Sequence, residues 1–300
     1  MHADRHPMLW GLVALVAMLG IFFAVTFLVA AAITGDEGGQ ASDAKIGVVV
    51  LEGVISSDLA ERAVRQLAKH GEDPAIKAIV LRIDSPGGGV ASSQEVYEAI
   101  RRLRSSGKLV VASLGSVAAS GGYYIACVTE RIFANAGTLT GSIGVIVQLA
   151  NTEELLRKIG VASTAITSGP FKDSGNPTRS LRPEERQVFQ ALVDDVYQQF
   201  VEAVSQGRQM PVEEVRQIAD GRIYTGRQAK ELRLVDDLGT FQDAVTYAAT
   251  TIGISGKPKL VEQEKERFWW LKFVLEHVPD SSIFQFLSQG DAVLQYRWLY

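Results

Sequence analysis

Cysteine is nearly absent. Cys127 stands alone in 300 residues, so no internal disulfide holds this chain and packing must do so. Flanked by Ile125, Ala126 and Val128, with no histidine near it in sequence, that thiol reads as an inert core residue rather than a nucleophile. Histidine is scarce too, with only His2, His6, His70 and His277, none in motif-like surroundings. A histidine-based catalytic triad is therefore not expected. No Cys/His spacing suggests zinc, and a formal charge of -4 with a pI near 5.7 offers no basic field for nucleic acid. A Gly-Lys-Ser/Thr phosphate loop is missing, and the glycine and serine motifs described below occur once, without an internal repeat.

Apolar residues are plentiful, 47% of the chain, which suffices for one sizeable core. The first apolar run, Met8 to Ile33, carries no charge and exceeds the roughly 20 residues that span a bilayer as a helix. Small residues at 29–32 offer a cleavage site, but the run is longer than the apolar stretch of about 7–15 residues in cleaved signal peptides. The expectation is one uncleaved N-terminal transmembrane helix within residues 1–34. Arg5 precedes the run and Lys45 is the first basic residue after it, an asymmetry that sets the amino terminus inside and the body outside the cytoplasm. Polar, glycine-rich residues 35–44 read as a linker, 45–256 as the folded domain and 257–300 as an arm crowded with aromatics.

Within the folded domain, buried strands are expected at 46–55, 77–84 and 109–114, with amphipathic helices at 57–70 and 92–107 between them. Strand, helix, strand in this order predicts an α/β fold with a parallel sheet. Further strands are expected at 131–135, 143–148 and 162–167, a helix at 151–160, and a long helix from about 181 to 207. The arginines at 101, 102 and 104 read as a solvated helix face. In the arm, aromatic residues suit either packing on a partner or an ordinary helix covering the core. Its apolar end, "AVLQYRWLY", is expected either to enter a peptide groove as a weak internal substrate or plug, or to pack on the core or the membrane interface.

Two stretches carry chemistry. "RIDSPGGGVASS" puts three glycines between a buried strand and a helix, where backbone N–H groups can point at a ligand. Lacking a dinucleotide or phosphate-loop spacing, this turn suits an oxyanion hole, in which each preorganised donor contributes about 3 kcal/mol. "VASLGSVAASGGYYIA" then offers a nucleophile, Ser120, with Gly121 and Gly122 behind it to admit a substrate backbone and the Gly121 N–H to complete the hole. A serine needs a base. Lysine serves when burial disfavours its ammonium form, and Lys172 lies in the turn-rich "ITSGPFKDSGNPTRS". On spacing alone it is equally an ordinary surface lysine.

At these residues the sequence resembles the signal peptide peptidase A family, membrane-bound serine/lysine peptidases related to Clp-type proteases and crotonases. "IDSPGGG", "AASGGYYIA", "TLTGSIGV" and "GPFKDSGNPTR" follow the family's order and spacing, over roughly residues 45 to 250. The resemblance implies a crotonase/Clp-like superhelix of repeated ββα units. It assigns Ser120 as nucleophile, Lys172 as general base, Ser142 as the residue orienting that lysine, and Gly87, Gly88 and Gly121 as oxyanion donors. It further implies cleavage of remnant signal peptides and other apolar peptides outside the cytoplasm, with no metal or other cofactor. Because relatives can carry the unit twice and this chain carries it once, the resemblance implies a homo-oligomeric ring or dome of about eight subunits. Two other readings share parts of this pattern: a crotonase-like enzyme acting on acyl-coenzyme A, and a catalytically silent membrane scaffold.

Overall fold

A computed structural model of the chain describes residues 18–26, 44–262 and 295–297. The chain divides into two units, Met1–Ser42 and Asp43–Tyr300. In the first, residues 18–26 form a helix, α1, with exposed side chains. Among the described residues no helix is long and apolar enough to cross a membrane. The rest of the apolar run, nearly all of the linker, and arm residues 263–294 and 298–300 lie outside the described residues.

The second unit opens with β1 (Lys45–Glu52), α2 (Ser57–Glu72) and β2 (Ile76–Ser85), then a short strand β3 (Gly87–Gly89), α3 (Val90–Ser105) and β4 (Leu109–Ala119). Strands β1, β2 and β4 pair in parallel, as alternating strand and helix predicted. Their centres read as near-continuous apolar runs because both faces are covered. Residues Leu59, Ala63 and Leu67 of α2 and Val96 and Ile100 of α3 pack with Val49, Leu81 and Val110 on one face. On the other face, Ala244, Val245 and Ala248 of α9 (Phe241–Thr251) pack with Ile46, Val80 and Val111. The amino terminus of α2 is capped by Ser56, whose hydroxyl accepts from the Leu59 N–H at 3.3 Å.

Strand β4 changes partners midway. Val111–Leu114 pair with β5 (Arg131–Ala134), whereas Val117–Ala119 pair with β6 (Leu139–Gly141). The switch occurs at a bulge, for the β2 register passes from Ile83↔Leu114 to Ser85↔Ala118, leaving Gly115, Ser116 and Val117 opposite Asp84 alone. Beyond β4 come α4 (Gly121–Ala126), α5 (Glu153–Lys158), α6 (Pro183–Arg208), α7 (Val212–Ile218), β7 (Ile223–Thr225), α8 (Gly226–Glu231), β8 (Asp237–Leu238) and, after α9, β9 (Lys259–Val261). The main sheet runs β7-β6-β4-β2-β1-β9, with β5 and β8 branching from β4.

Two expected strands differ. Residues 143–148 form no ladder strand, because the ladder ends at Gly141 and the chain turns through positive φ at Gly141 and Ser142. Residues 162–167 carry no secondary structure and are exposed, Ile166 fully at 99%, and among the described residues no strand pairs with them.

Candidate active site

Ser120 sits between the end of β4 and the start of α4 at φ 54°, ψ -117°. This lies outside the left-handed helical well and is costly for any residue with a Cβ, about 1–3 kcal/mol. Surrounding bonds hold it there. The Ser120 N–H donates to the Gly141 carbonyl at 2.8 Å, and the Ser120 carbonyl accepts from the Tyr124 N–H at 2.8 Å. That second bond is the first of α4, so the Gly121 N–H has no partner within the helix. Ser120 is 1% exposed.

Ser142 lies beside it. Parallel pairing of β4 with β6 sets Ala119 opposite Gly141, so the next residues, Ser120 and Ser142, leave neighbouring strand ends together. Ser142 also has positive φ, 49°, and is fixed by its N–H donating to the Arg222 carbonyl at 2.9 Å. Positive φ at two serines on neighbouring strand ends is backbone strain of the kind that clusters at functional sites. A cavity of 440 Å³ opens at Ser142, bordered by Val145, Val193, Asp194 and Tyr197.

The glycine turn adjoins the same place. Gly122 allows α4 to approach β2, because a Cβ there would stand 3.1 Å from the Ser85 carbonyl. Gly88 is hemmed more tightly, its absent Cβ falling 2.3 Å from the Ile55 carbonyl oxygen. Ile55 donates to the Gly87 carbonyl and accepts from the Gly89 N–H, both at 2.9 Å. On strand geometry the Gly88 N–H and carbonyl therefore face the opposite side. There lies β10 (Gln295–Arg297), antiparallel to β3 with Tyr296 opposite Gly88. The Gly87 N–H donates to Ser85 Oγ at 3.1 Å in this conformation.

Asp84 connects the turn to β4, the strand that leads into Ser120, a role its sequence position did not reveal. Its carboxylate accepts from the Ser116 and Val117 N–H groups at 3.2 and 3.1 Å, satisfying two amides that the bulge removes from the ladder. Gly115 makes room for it, since a Cβ there would stand 2.5 Å from Asp84 Oδ2. Asp84→Ala should cost about 1–3 kcal/mol of stability by orphaning these amides. It should also slow acylation of Ser120 more than Asp84→Asn, which keeps one acceptor oxygen. Urea unfolding and probe-labelling rates, measured on both variants, check this; equal labelling by Asp84→Ala and wild type would show that the bulge does not position Ser120.

Lys172 stands apart. It is exposed in the loop between α5 and α6, with its N–H donating to the Gly169 carbonyl at 3.2 Å. Among the described residues no hydrogen bond joins its amine to Ser120 or Ser142. The fold thus brings together Ser120, Ser142, Gly121 and the glycine turn, and leaves the expected base facing outward. Cys127 is buried, its thiol pushed up to about 12 by burial, which suits an inert core residue.

Residues 102–255 match the model of peptidase family S49, just over half of the chain. The chain belongs to that family. Residues 41–141 also match the Clp protease model, which links the parallel β-sheet and the Ser120 turn to the Clp/crotonase-like superfamily. A candidate protease of Synechocystis sp. is 50% identical over 210 residues, 70% of this chain and 75% of that protein. A candidate signal peptide peptidase SppA of Enterococcus faecium is 39% identical over 223 residues, 71% of this chain and 64% of its own. Protease 4 of Salmonella typhi is 42% identical over 177 residues, which are 59% of this chain but only 28% of that longer protein. A solved ClpP1 variant from Listeria monocytogenes covers 66% of this chain and 94% of its own at 17% identity, with a TM-score of 0.46, too loose a superposition to transfer site geometry. This S49 chain is therefore a peptidase by family, with the expected motif residues in the sequence order described above.

Proposed function

We propose that this S49 chain is a membrane-anchored serine endopeptidase with a Ser120/Lys172 dyad, acting outside the cytoplasm on remnant signal peptides and other apolar peptides. The observation that carries the reading is the pairing of an extended segment, Gln295–Arg297, onto Gly87–Gly89 beside Ser120. A peptidase must hold its substrate backbone extended across the nucleophile, and strand addition to a glycine edge does this with main-chain bonds independent of side-chain identity. An acyl-coenzyme A substrate has no such backbone, and a silent scaffold has no use for a strained serine.

In the reaction, Ser120 Oγ attacks the scissile carbonyl carbon while its proton passes to the neutral amine of Lys172. The resulting oxyanion accepts from Gly121 and from the glycine turn, where Gly88 faces the peptide side and Gly87 would exchange its bond to Ser85 Oγ. Collapse expels the amine product with the proton from Lys172, leaving an ester on Ser120. Water then attacks the ester, giving its proton to Lys172, and the acid product leaves as Ser120 is reprotonated. Ser142, beside Ser120, orients the lysine by hydrogen bonding.

This scheme requires Lys172 and Ser120 to meet. The outward-facing Lys172, the unpaired 161–167 segment and exposed Leu155, Ile159 and Phe171 all favour a site completed by a neighbouring subunit in a closed homo-oligomer. The apolar run at 8–33 supplies the anchor.

The full chain in detergent, given fluorogenic apolar peptides and signal-peptide fragments, tests the reading. Hydrolysis is expected, faster after deletion of residues 292–300, because the tail strand competes for the groove. Absence of cleavage from both proteins would overturn the assignment.

A further inference from the structure

The loop that carries Lys172 is held by an unusual amount of charge. Glu185, in the first turn of α6, is 0% exposed, and a carboxylate so buried must be fully paired. It accepts from Arg179 Nη1 at 2.9 Å and Nη2 at 2.5 Å, from the Arg182 N–H at 3.0 Å, from Arg182 Nη2, and from Ser174 Oγ at 3.4 Å. Capping a helix needs only the bond to the Arg182 N–H. The two guanidinium groups serve something else. Arg179 donates from Nε to the Asp173 carboxylate at 2.9 Å and from Nη2 to the Asp173 carbonyl at 3.0 Å. Arg182 Nη2 donates to the Pro170 carbonyl.

Pro170 and Asp173 bracket Phe171 and Lys172. One buried anion therefore fixes, through two arginines, the backbone on both sides of the lysine. We infer that Glu185 is a positioning residue for Lys172, acting through Arg179 and Arg182; this rests on the reading of Lys172 as the base.

The clamp also controls charge. Around the lysine stand Asp173 in the loop, Arg179 after it, and Arg182 and Glu185 at the start of α6. Asp173 is the carboxylate next to Lys172 in sequence, and left free it would pair with the ammonium and hold it protonated. Arg179 occupies that carboxylate instead, which lowers the Asp173 pKa chiefly through this hydrogen bond. The clamp thus presents a lysine whose neighbouring carboxylate is already spent, as a base must be.

The test follows the rate at which a fluorophosphonate labels the full chain, as a function of pH, with peptide KM and kcat measured in parallel. Glu185→Gln puts an amide donor against the guanidinium groups, and Arg179→Ala frees Asp173. Each should slow labelling at neutral pH by up to about 10²-fold, the cost of misplacing a reacting group by about an ångström. Both should lower kcat while leaving KM near wild type, and Arg179→Ala, which frees the Asp173 carboxylate, should also move the rise in rate to higher pH. Adding Asp173→Asn to Arg179→Ala should return the pH profile toward wild type, a rescue that a purely structural role would not give. Should Glu185→Gln fail to fold, the Arg179→Ala and Arg179→Ala/Asp173→Asn pair decides alone. Slow labelling of Lys172→Ala beside wild-type labelling rates for the clamp variants and a wild-type pH profile for Arg179→Ala would overturn the positioning role while leaving the base intact. Wild-type labelling of Lys172→Ala would remove the base and the clamp's role together.

Discussion

Ser120→Ala should reduce peptide turnover by about 10⁴-fold or more, the scale seen when an acyl-forming serine is removed while the rest of a site remains. The expectation rests on geometry as well as family. Ser120 is held in a costly backbone conformation by bonds from β6 and α4, and its neighbours leave the Gly121 N–H without a helical partner. Substrate binding should change little, because the glycine edge and cavity remain. Ser142→Ala is the informative companion, since that hydroxyl shares the strand ends but is assigned to orient the lysine. Its loss should cost about 10²-fold or less, with KM preserved. Turnover and KM measured for both variants on one peptide distinguish nucleophile from helper; a larger loss at Ser142 would exchange the roles.

Lys172→Ala and Lys172→Arg should both be nearly inactive, by about 10²–10⁴-fold, because alanine supplies no base and a guanidinium keeps its proton. The more telling result comes from mixing. Lys172 is exposed and, among the described residues, forms no hydrogen bond to Ser120, so a base borrowed from a neighbour predicts rescue. Co-assembled Ser120→Ala and Lys172→Ala chains should recover activity in subunit pairs where an intact serine meets an intact lysine. Two inactive variants that stay inactive after co-assembly, in an oligomer shown to be mixed, would contradict shared sites.

Much of the site was legible because its signals are local. "SPGGG" between an apolar run and a helix requires a turn, and "SGG" before "YYIA" requires a strand to give way to a helix at Ser120. Alternating strands and helices gave the parallel sheet for the same reason, since each element announces its own period. What remained illegible depends on residues distant in sequence. Asp84 reads as part of a turn until the β4 bulge brings Ser116 and Val117 over its carboxylate. Glu185 reads as a helix-start residue until Arg179 and Arg182 fold onto it from the lysine loop. The expected strand at 162–167 has the right composition, but pairing needs an edge and the described residues offer none there. At 143–148 the apolar pattern is real, yet positive φ at Gly141 and Ser142 takes the chain out of the ladder first.

Ser120 should be the residue that carries the acyl group. Mass spectrometry of the full chain after fluorophosphonate treatment tests it most directly, by mapping the modified residue in wild type, Ser120→Ala and Lys172→Ala. One adduct is expected, on the peptide containing Ser120, absent from Ser120→Ala and slow to form in Lys172→Ala. An adduct on Ser142 or elsewhere in wild type, or undiminished labelling of Ser120→Ala, would contradict it.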